Sequence, residues 1–160
     1  MIAKTDLSDL LTKEFATTLR VMRAYPKTQM RFAPHERSQS AMRLMATFVF
    51  EMYLLRSYIL EQPVAPEAFQ SYAKETLDEL IADFETETKA VLGGIAALTD
   101  ADLAKTISFA GRDFSADRFI LMMLFDQIHH RGQLSVYVRL AGGLVPSIYG
   151  PSADDPGTNL

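Results

Sequence analysis

The stretch that decides the fold reads Asp126-Gln127-Ile128-His129-His130-Arg131-Gly132-Gln133, and it lies within a strongly apolar segment from Phe119 to Leu140. Positions four apart in a helix lie on one face, so Asp126 and His130 are predicted to project together. The same face continues through Met122, Met123, Leu134 and Tyr137. An aspartate and a histidine on a core-facing stripe are costly to bury unless they are paired. Their partner is either a divalent metal or a hydrogen-bond network within a helix bundle.

The overall composition indicates one globular domain without a nucleic-acid-binding face. The 160 residues are enough to bury a real core, so we expect a single domain over residues 1–160. Apolar residues make up 48% and charged residues 22%, as in ordinary soluble proteins. The 16 Lys and Arg are scattered and the net charge is −4, so no surface for phosphate backbones is predicted.

The absence of cysteine limits both the chemistry and the compartment. It excludes disulfides, a Cys nucleophile and Cys-ligated zinc, and it fits the cytoplasmic location that we expect. Residues 1–6 contain no apolar signal-peptide core. The longest apolar-rich run, Ala41 to Leu60, is interrupted by Arg43, Glu51 and Arg56, so no membrane span is predicted.

Apolar residues that recur every three or four positions predict four amphipathic helices. The first covers residues 6–24, with Thr5 as its cap. The second runs from a cap at Ser38 or Ser40 to about Leu60. Because it is apolar on more than one side, this second helix should be contacted by several neighbours.

The third and fourth helices are bounded by proline, serine and glycine signals. The third has Pro66 in its first turn and ends at Gly93-Gly94. A connection over residues 95–114 follows, with a short extended piece predicted at Thr106 to Phe109. The fourth helix is capped by Ser115 and closed by Gly142-Gly143.

Four such helices without a series of strands indicate an all-α four-helix bundle. Periodicity alone does not separate up-down-down-up from up-down-up-down connections. Gly132 lies inside the fourth helix at a cost of about 1 kcal/mol relative to Ala, which predicts close approach of another backbone. The tail, residues 144–160, is expected to dock on the bundle with its first part and to fray at its end.

The second helix contributes a carboxylate of its own. Thr47 and Glu51 lie four residues apart and so share a face. Glu51 lies among large apolar residues, where an unpaired carboxylate would be expensive, so we predict that it has a partner.

Several of these segments resemble the DinB/YfiT-like metalloenzyme family, and the resemblance covers the whole chain in length and helix order. The fourth helix contributes His129-His130-Arg131-Gly132-Gln133-Leu134, Tyr137, Arg139-Leu140 and Gly142-Gly143. The tail contributes Val145-Pro146-Ser147-Ile148-Tyr149-Gly150-Pro151-Ser152-Ala153-Asp154, and the second helix contributes Arg37-Ser38, Ser40-Ala41, Leu44 and Glu51.

The resemblance implies an up-down-down-up bundle, commonly dimeric, with a divalent metal such as nickel, zinc or manganese held by three side chains, usually histidines. Two of these positions lie four apart on the fourth helix and fall on Asp126 and His130. The third lies on the second helix and falls on Thr47. Aspartate is an acceptable replacement, because carboxylates bind these ions well, whereas a neutral hydroxyl is a poor ligand.

Three states of this site remain open. Asp126 and His130 bind a metal with help from Glu51, His129 or water; or the polar side chains satisfy one another by hydrogen bonds in a vestigial site; or His130 is linked only to solvent. His129 points about 100° away from His130, towards a neighbouring helix or a dimer partner. Gln133 and Arg131 are predicted to orient the ring of His130 or a carboxylate behind the ligands, with a surface salt bridge as the alternative for Arg131.

Family resemblance suggests metal-dependent transfer or isomerisation that involves a low-molecular-weight thiol, as in maleylpyruvate isomerases and in bacillithiol or mycothiol transferases. The alternatives are a non-catalytic, stress-associated helical protein that binds a small ligand, and a dimeric binding module with a vestigial metal site. The resemblance also implies a homodimer. No nucleic-acid or membrane partner is predicted.

Overall fold

The computed structural model describes residues 4–62, 74 and 76–157, which form five helices and one β-hairpin. The elements are α1 (Lys4–Arg23), a 3-10 turn (Lys27–Gln29), α2 (Ala41–Ile59), α3 (Leu77–Ala97), α4 (Asp100–Ala104), β1 (Thr106–Phe109), β2 (Arg112–Ser115) and α5 (Ala116–Leu140).

The four long helices pack in a ring in which α1 and α2 each contact α3 and α5. Contacts at both ends of the bundle fix the direction of each helix. These contacts are Lys4–Ala96 and Lys27–Asp78 for antiparallel α1 and α3, Phe48–Phe84 and Leu60–Gly94 for parallel α2 and α3, and Tyr58–Phe119 and Gln39–Tyr137 for antiparallel α2 and α5.

The C-terminal ends of α1 and α5 lie together, because Gly143 packs against the carbonyl oxygen of Ala24. These two helices therefore run in the same direction, opposite to α2 and α3. The predicted all-α bundle with up-down-down-up topology is confirmed.

Polar caps begin two of the long helices. The hydroxyl of Ser40, one of the two predicted caps of α2, accepts a hydrogen bond from the backbone N–H of Arg43. Thr76 and Glu79 form a reciprocal capping box at the start of α3, which satisfies backbone donors that a helix N-terminus leaves unpaired. Pro66, predicted to begin this helix, lies outside the described residues.

A β-hairpin lies between α4 and α5. Its first strand is the extended piece predicted at residues 106–109, and its second strand was not predicted. β1 pairs antiparallel with β2 across a two-residue turn at Ala110 and Gly111, whose φ angles are 50° and 74°. Positive φ at both central residues is typical of the turns that join twisted hairpins. Phe109 of β1 packs on Tyr58 of α2 and Phe119 of α5, which holds the hairpin against the bundle.

Several predicted boundaries were wrong. Thr5 lies inside α1 rather than capping it. Gly93-Gly94 lies within α3, which continues to Ala97. The start of α5 was predicted correctly, since Ser115 is its N-cap residue, although the Ser115 hydroxyl donates to Asp117 instead of accepting a backbone hydrogen bond. No described atom lies within 4 Å of the position of a Cβ at Gly132, so no backbone approaches it within the chain.

The first part of the tail lies on the bundle, where Val145 and Ile148 pack against the core. Asp154 accepts a hydrogen bond from the backbone N–H of Val145, and Asp155 accepts one from Ser147. The end predicted to fray, residues 158–160, lies outside the described residues. Among the described residues, no helix combines the length and apolar character that crossing a membrane requires.

Candidate metal centre

Three side chains from two helices converge on one point in the bundle. Glu51 of α2 and Asp126 and His130 of α5 each place one potential ligand atom within 4.8 Å of the others. The spacing of four residues puts Asp126 and His130 on one face of α5, with His130 Nε2 3.6 Å from Asp126 Oδ1. The antiparallel packing of α2 on α5 brings Glu51 to the same place.

Glu51 is the buried member of this triad, with 2% of its surface exposed. Its Oε2 accepts a hydrogen bond from Gln127 Nε2 at 3.3 Å. Its Oε1 has no hydrogen-bond partner among the described residues. Burial raises the pKa of the Glu51 carboxyl well above its usual range, and the charge of Asp126 raises this pKa further. The hydrogen bond from Gln127 lowers the pKa, and the hydrogen bond that the protonated Glu51 carboxyl can share with Asp126 raises it.

These residues fit a divalent cation. A buried carboxylate oxygen without a hydrogen-bond partner is costly, and a cation bound by that oxygen would remove the cost. Two carboxylates and one imidazole form a donor set that suits zinc, manganese or iron. The side chains of Asp126 and His130 are 50% and 16% exposed, so the triad is reached from one side of the bundle.

Gln133 contacts both histidines of the central stretch. Its Oε1 lies 3.1 Å from His130 Nδ1 and its Nε2 lies 3.0 Å from His129 Nε2. Because an amide oxygen only accepts, His130 carries its proton on Nδ1 in this contact, and Nε2 is left as the nitrogen that faces Asp126. His129 is exposed and lies outside the triad.

Thr47 and Glu51 lie one turn apart on α2 and line the same cleft as Asp126. The Thr47 hydroxyl, which family resemblance implies as the third ligand, donates to the backbone carbonyl of Arg43 at 3.2 Å. Glu51, which the sequence suggested as an alternative ligand, supplies the third potential ligand atom of the triad. The triad of Glu51, Asp126 and His130 is thus a better donor set than one completed by a hydroxyl.

The prediction that Arg131 orients the ring of His130 was wrong, because its hydrogen bonds go to α1 and to the tail. The side chain is buried, with 1% of its surface exposed, and points towards α1. Its guanidinium donates to the carboxylate and backbone carbonyl of Glu14, to Thr18 and to the hydroxyl of Tyr149. The alternative of a surface salt bridge was also wrong, because the ion pair with Glu14 is buried.

Sequence reasoning missed Gln127 and Glu14 as parts of this polar interior. In both cases the helical spacing could have predicted that the side chain is buried. Gln127 lies one turn before Arg131 on the face that continues to Leu134, and Glu14 follows Leu11 on the apolar stripe of α1.

A cleft of about 480 Å³ opens beside the triad. Its polar side includes Glu51 and Asp126. Its apolar side is formed by Phe50, Leu54, Phe109 and Met123. The volume lies within the range of small-molecule sites, and polar groups beside apolar walls are typical of them.

A family model described as DinB superfamily matches residues 10–134. The chain belongs to the DinB superfamily. Family membership agrees with the resemblance found in the sequence, and it carries no activity with it, because a fold supports many functions.

Two relatives of this DinB-superfamily chain are proteins of Bacillus subtilis (strain 168). The uncharacterized protein YrdA is 39% identical over 57 residues, which cover 36% of the chain and 34% of YrdA. The chain thus matches about a third of the length of that relative. The uncharacterized protein YjoA is 29% identical over 119 residues, which cover 72% of the chain and 76% of YjoA.

Solved structures share the DinB-superfamily fold. A DinB-like protein from Bacillus cereus ATCC 10987 superposes with a TM-score of 0.80 at 20% identity, over 89% of this chain and 95% of that one. YjoA of Bacillus subtilis superposes with a TM-score of 0.69 at 23% identity, over 86% of this chain and 92% of that one. A variant of the mycothiol-dependent maleylpyruvate isomerase superposes with a TM-score of 0.64 at 13% identity, over 91% of this chain and 63% of that one.

Proposed function

We propose that the protein binds one divalent cation through Glu51, Asp126 and His130, and uses this centre to transfer or isomerise a small substrate with a low-molecular-weight thiol. The observation that carries the proposal is the unpartnered, buried Oε1 of Glu51 beside a carboxylate and an imidazole. Zinc, nickel and manganese are the candidate cations. The cysteine-free sequence fits a cytoplasmic setting.

The thiol is proposed from the likeness in fold to the mycothiol-dependent isomerase and from the chemistry of the cleft. A cation held by the triad would act as a Lewis acid that favours the thiolate form of a bound thiol at neutral pH. The chain itself supplies the surroundings. Phe50, Leu54 and Met123 exclude water from one side of the cleft, and Gln133 holds the ring of His130 with Nε2 towards Asp126.

Metal binding is tested with protein purified without a metal-affinity tag and stripped with a chelator. Calorimetric titration with Zn²⁺, Ni²⁺ and Mn²⁺ should show one site per chain. Glu51→Gln, Asp126→Ala and His130→Ala should each weaken that site at least about 100-fold, since loss of a group behind a ligand alone costs about 10–100-fold.

Two matched controls separate the site from general effects of the substitutions. His129→Ala removes the neighbouring exposed histidine, and Asp113→Ala removes an exposed carboxylate of the hairpin, so both should bind the cation as the wild type does. Thr47→His adds an imidazole to the cleft wall and should tighten binding about tenfold or more. Wild-type protein that binds none of the three cations would contradict the proposal and favour a hydrogen-bonded, non-catalytic site.

The thiol is tested on protein loaded with Co²⁺, which reports thiolate binding by a new near-ultraviolet absorption band. Addition of 2-mercaptoethanol should produce this band in the wild type and in His129→Ala, and not in His130→Ala. An unchanged spectrum in loaded wild-type protein would refute thiol binding while leaving the metal site intact.

A further inference from the structure

A continuous chain of buried polar side chains leads from the tail to Glu51. Its central members are Arg131, Thr18, Gln127 and Glu51, and each has at most 2% of its surface exposed. Thr18 Oγ1 lies 3.4 Å from Arg131 Nη1 and 3.2 Å from Gln127 Oε1, and Gln127 Nε2 lies 3.3 Å from Glu51 Oε2. At this burial the side chains have one another, rather than bulk water, as partners.

An ion pair fixes the end of this series of side chains that lies farthest from Glu51. Arg131 Nη2 lies 2.6 Å from Glu14 Oε2, and Nη1 lies 3.0 Å from the Glu14 backbone carbonyl. The ring of Tyr149 lies 5.2 Å from the guanidinium carbon, and the Tyr149 hydroxyl donates to Glu14 at 2.9 Å. Contacts with α1 and with the tail thus set the position of Arg131.

The chemistry of Arg131 gives the hydrogen bonds a fixed direction. A guanidinium has only donors, so the oxygen of Thr18 accepts from it. The single hydroxyl proton of Thr18 then goes to Gln127 Oε1. With its oxygen occupied in this way, Gln127 turns its NH₂ group towards Glu51. The opposite amide orientation would place the Gln127 oxygen against the Glu51 carboxylate oxygen, and the Gln127 NH₂ group against the hydroxyl proton of Thr18.

We propose that Gln127 is a positioning residue for Glu51, and that Arg131 sets the orientation of the Gln127 amide through Thr18. The amide donates to Oε2, so Oε1 is the oxygen left for a cation. The role of Glu51 as a ligand rests on the proposed function, whereas the orientation of the amide does not. Arg131, a cation sealed in the bundle away from the triad, thereby acts on the triad through two neutral side chains.

The test removes the hydroxyl in the middle of the chain. Thr18→Val keeps the shape of the side chain and breaks the link between Arg131 and Gln127. Thr17→Val is the matched control, because Thr17 is the neighbouring buried threonine of α1. Its hydroxyl donates to the Lys13 carbonyl and takes no part in the hydrogen bonds between Arg131 and Glu51. Thr18→Ser restores a hydroxyl, and Thr18→Ala replaces Thr18→Val should valine prevent folding.

The first readout needs no metal. In NMR spectra of chelator-treated wild type, the side-chain NH₂ of Gln127 should show nuclear Overhauser contacts to Glu51 and slow exchange with water. Thr18→Val should lose both, and Thr17→Val and Thr18→Ser should keep them. An amide of Gln127 that is equally ordered in Thr18→Val would overturn the proposal.

The second readout is affinity for Zn²⁺ by calorimetry at one pH. Thr18→Val should bind about tenfold more weakly than wild type, as expected for a group behind a ligand, with Thr17→Val unchanged. Equal affinities for the two valine variants would also overturn the proposal. Should the wild type bind no metal, the proposed function fails, and the NMR comparison still decides the orientation of Gln127.

Discussion

Glu51 is the buried carboxyl of the site, and it lies beside a second carboxyl, that of Asp126. Its pKa is raised above the ordinary value of 4.5 by burial and then by Asp126. Stability from a group of this kind is fully present below pH 4.5 and is lost as pH rises through the folded pKa. The free energy of unfolding of the metal-free protein should therefore decrease as pH rises, because Glu51 ionises while buried.

Glu51→Gln in metal-free protein tests this dependence. The amide has nearly the same shape and cannot ionise, so the variant should be more stable than wild type near pH 8 and lose the advantage near pH 4.5. The difference in Tm should reach about 2–4 °C, the effect of about 1 kcal/mol in a domain of this size. Thermal unfolding with chelator at several pH values measures it.

The control is a buried carboxylate that already has a cation beside it. Arg56 Nη1 donates to both oxygens of Glu87, at 2.9 and 2.8 Å. Glu87→Gln should therefore lower Tm at neutral pH, the opposite sign to Glu51→Gln, because it leaves Arg56 without its counter-charge. A Tm difference between wild type and Glu51→Gln that stays constant with pH would contradict the raised pKa.

The sequence predicted part of this site because helical spacing is a local property. Four residues separate Asp126 from His130, so their shared face followed from periodicity alone. Which residue of α2 meets them depends on the register between two helices, and no local pattern gives that register. Arg131 was misplaced because a charged residue next to His130 resembles a solvated one, although the buried positions Gln127 and Leu134 share its face.

At the scale of elements, the fold was predicted better than its boundaries. The apolar stripes predicted all four long helices, whereas the end of α3 was predicted three residues too early from Gly93-Gly94. Glycine commonly follows a helix end, but it also lies where another chain segment comes close. Here the second reason applies to Gly94, because a Cβ at that position would collide with the methyl carbons of Leu60.

The two adjacent glycines of α3 give a matched pair of substitutions. Gly93 is exposed and no described atom lies within 4 Å of its Cβ position, so Gly93→Ala should raise the free energy of unfolding by about 0.5–1 kcal/mol through helix propensity. Gly94→Ala gains the same propensity, but the end of the half-buried Leu60 side chain must move aside, which should cancel part of the gain. Chemical denaturation should rank Gly93→Ala above wild type and Gly94→Ala below Gly93→Ala. Equal stabilities for the two variants would show that Leu60 moves aside without cost.

At the scale of the whole molecule, the described residues leave one face of α5 uncovered. Phe125, Val136 and Leu140 are 64%, 55% and 56% exposed, and the exposed Gly132 lies between them. Large exposed apolar side chains aligned on one helix are typical of an interaction surface rather than of a solvated helix.

We expect this face to bind a second copy of the chain, because its pattern is complementary to itself. Two α5 helices packed antiparallel about a two-fold axis near Gly132 would place Phe125 against the partner's Leu140. A two-fold interface requires this kind of self-complementarity, and the open space over Gly132 allows the two backbones to approach closely.

Sedimentation equilibrium should accordingly give twice the chain mass of 17.9 kDa for the wild type. Val136→Asp places a charge in the middle of the apolar face and should yield the single-chain mass, because each chain would then have to bury a carboxylate in an apolar contact. Ala90→Asp, an exposed change on α3 at the opposite side of the ring, should leave the dimer intact. Wild-type protein at the single-chain mass, or a Val136→Asp variant that remains dimeric, would place the exposed apolar residues of α5 in some other role.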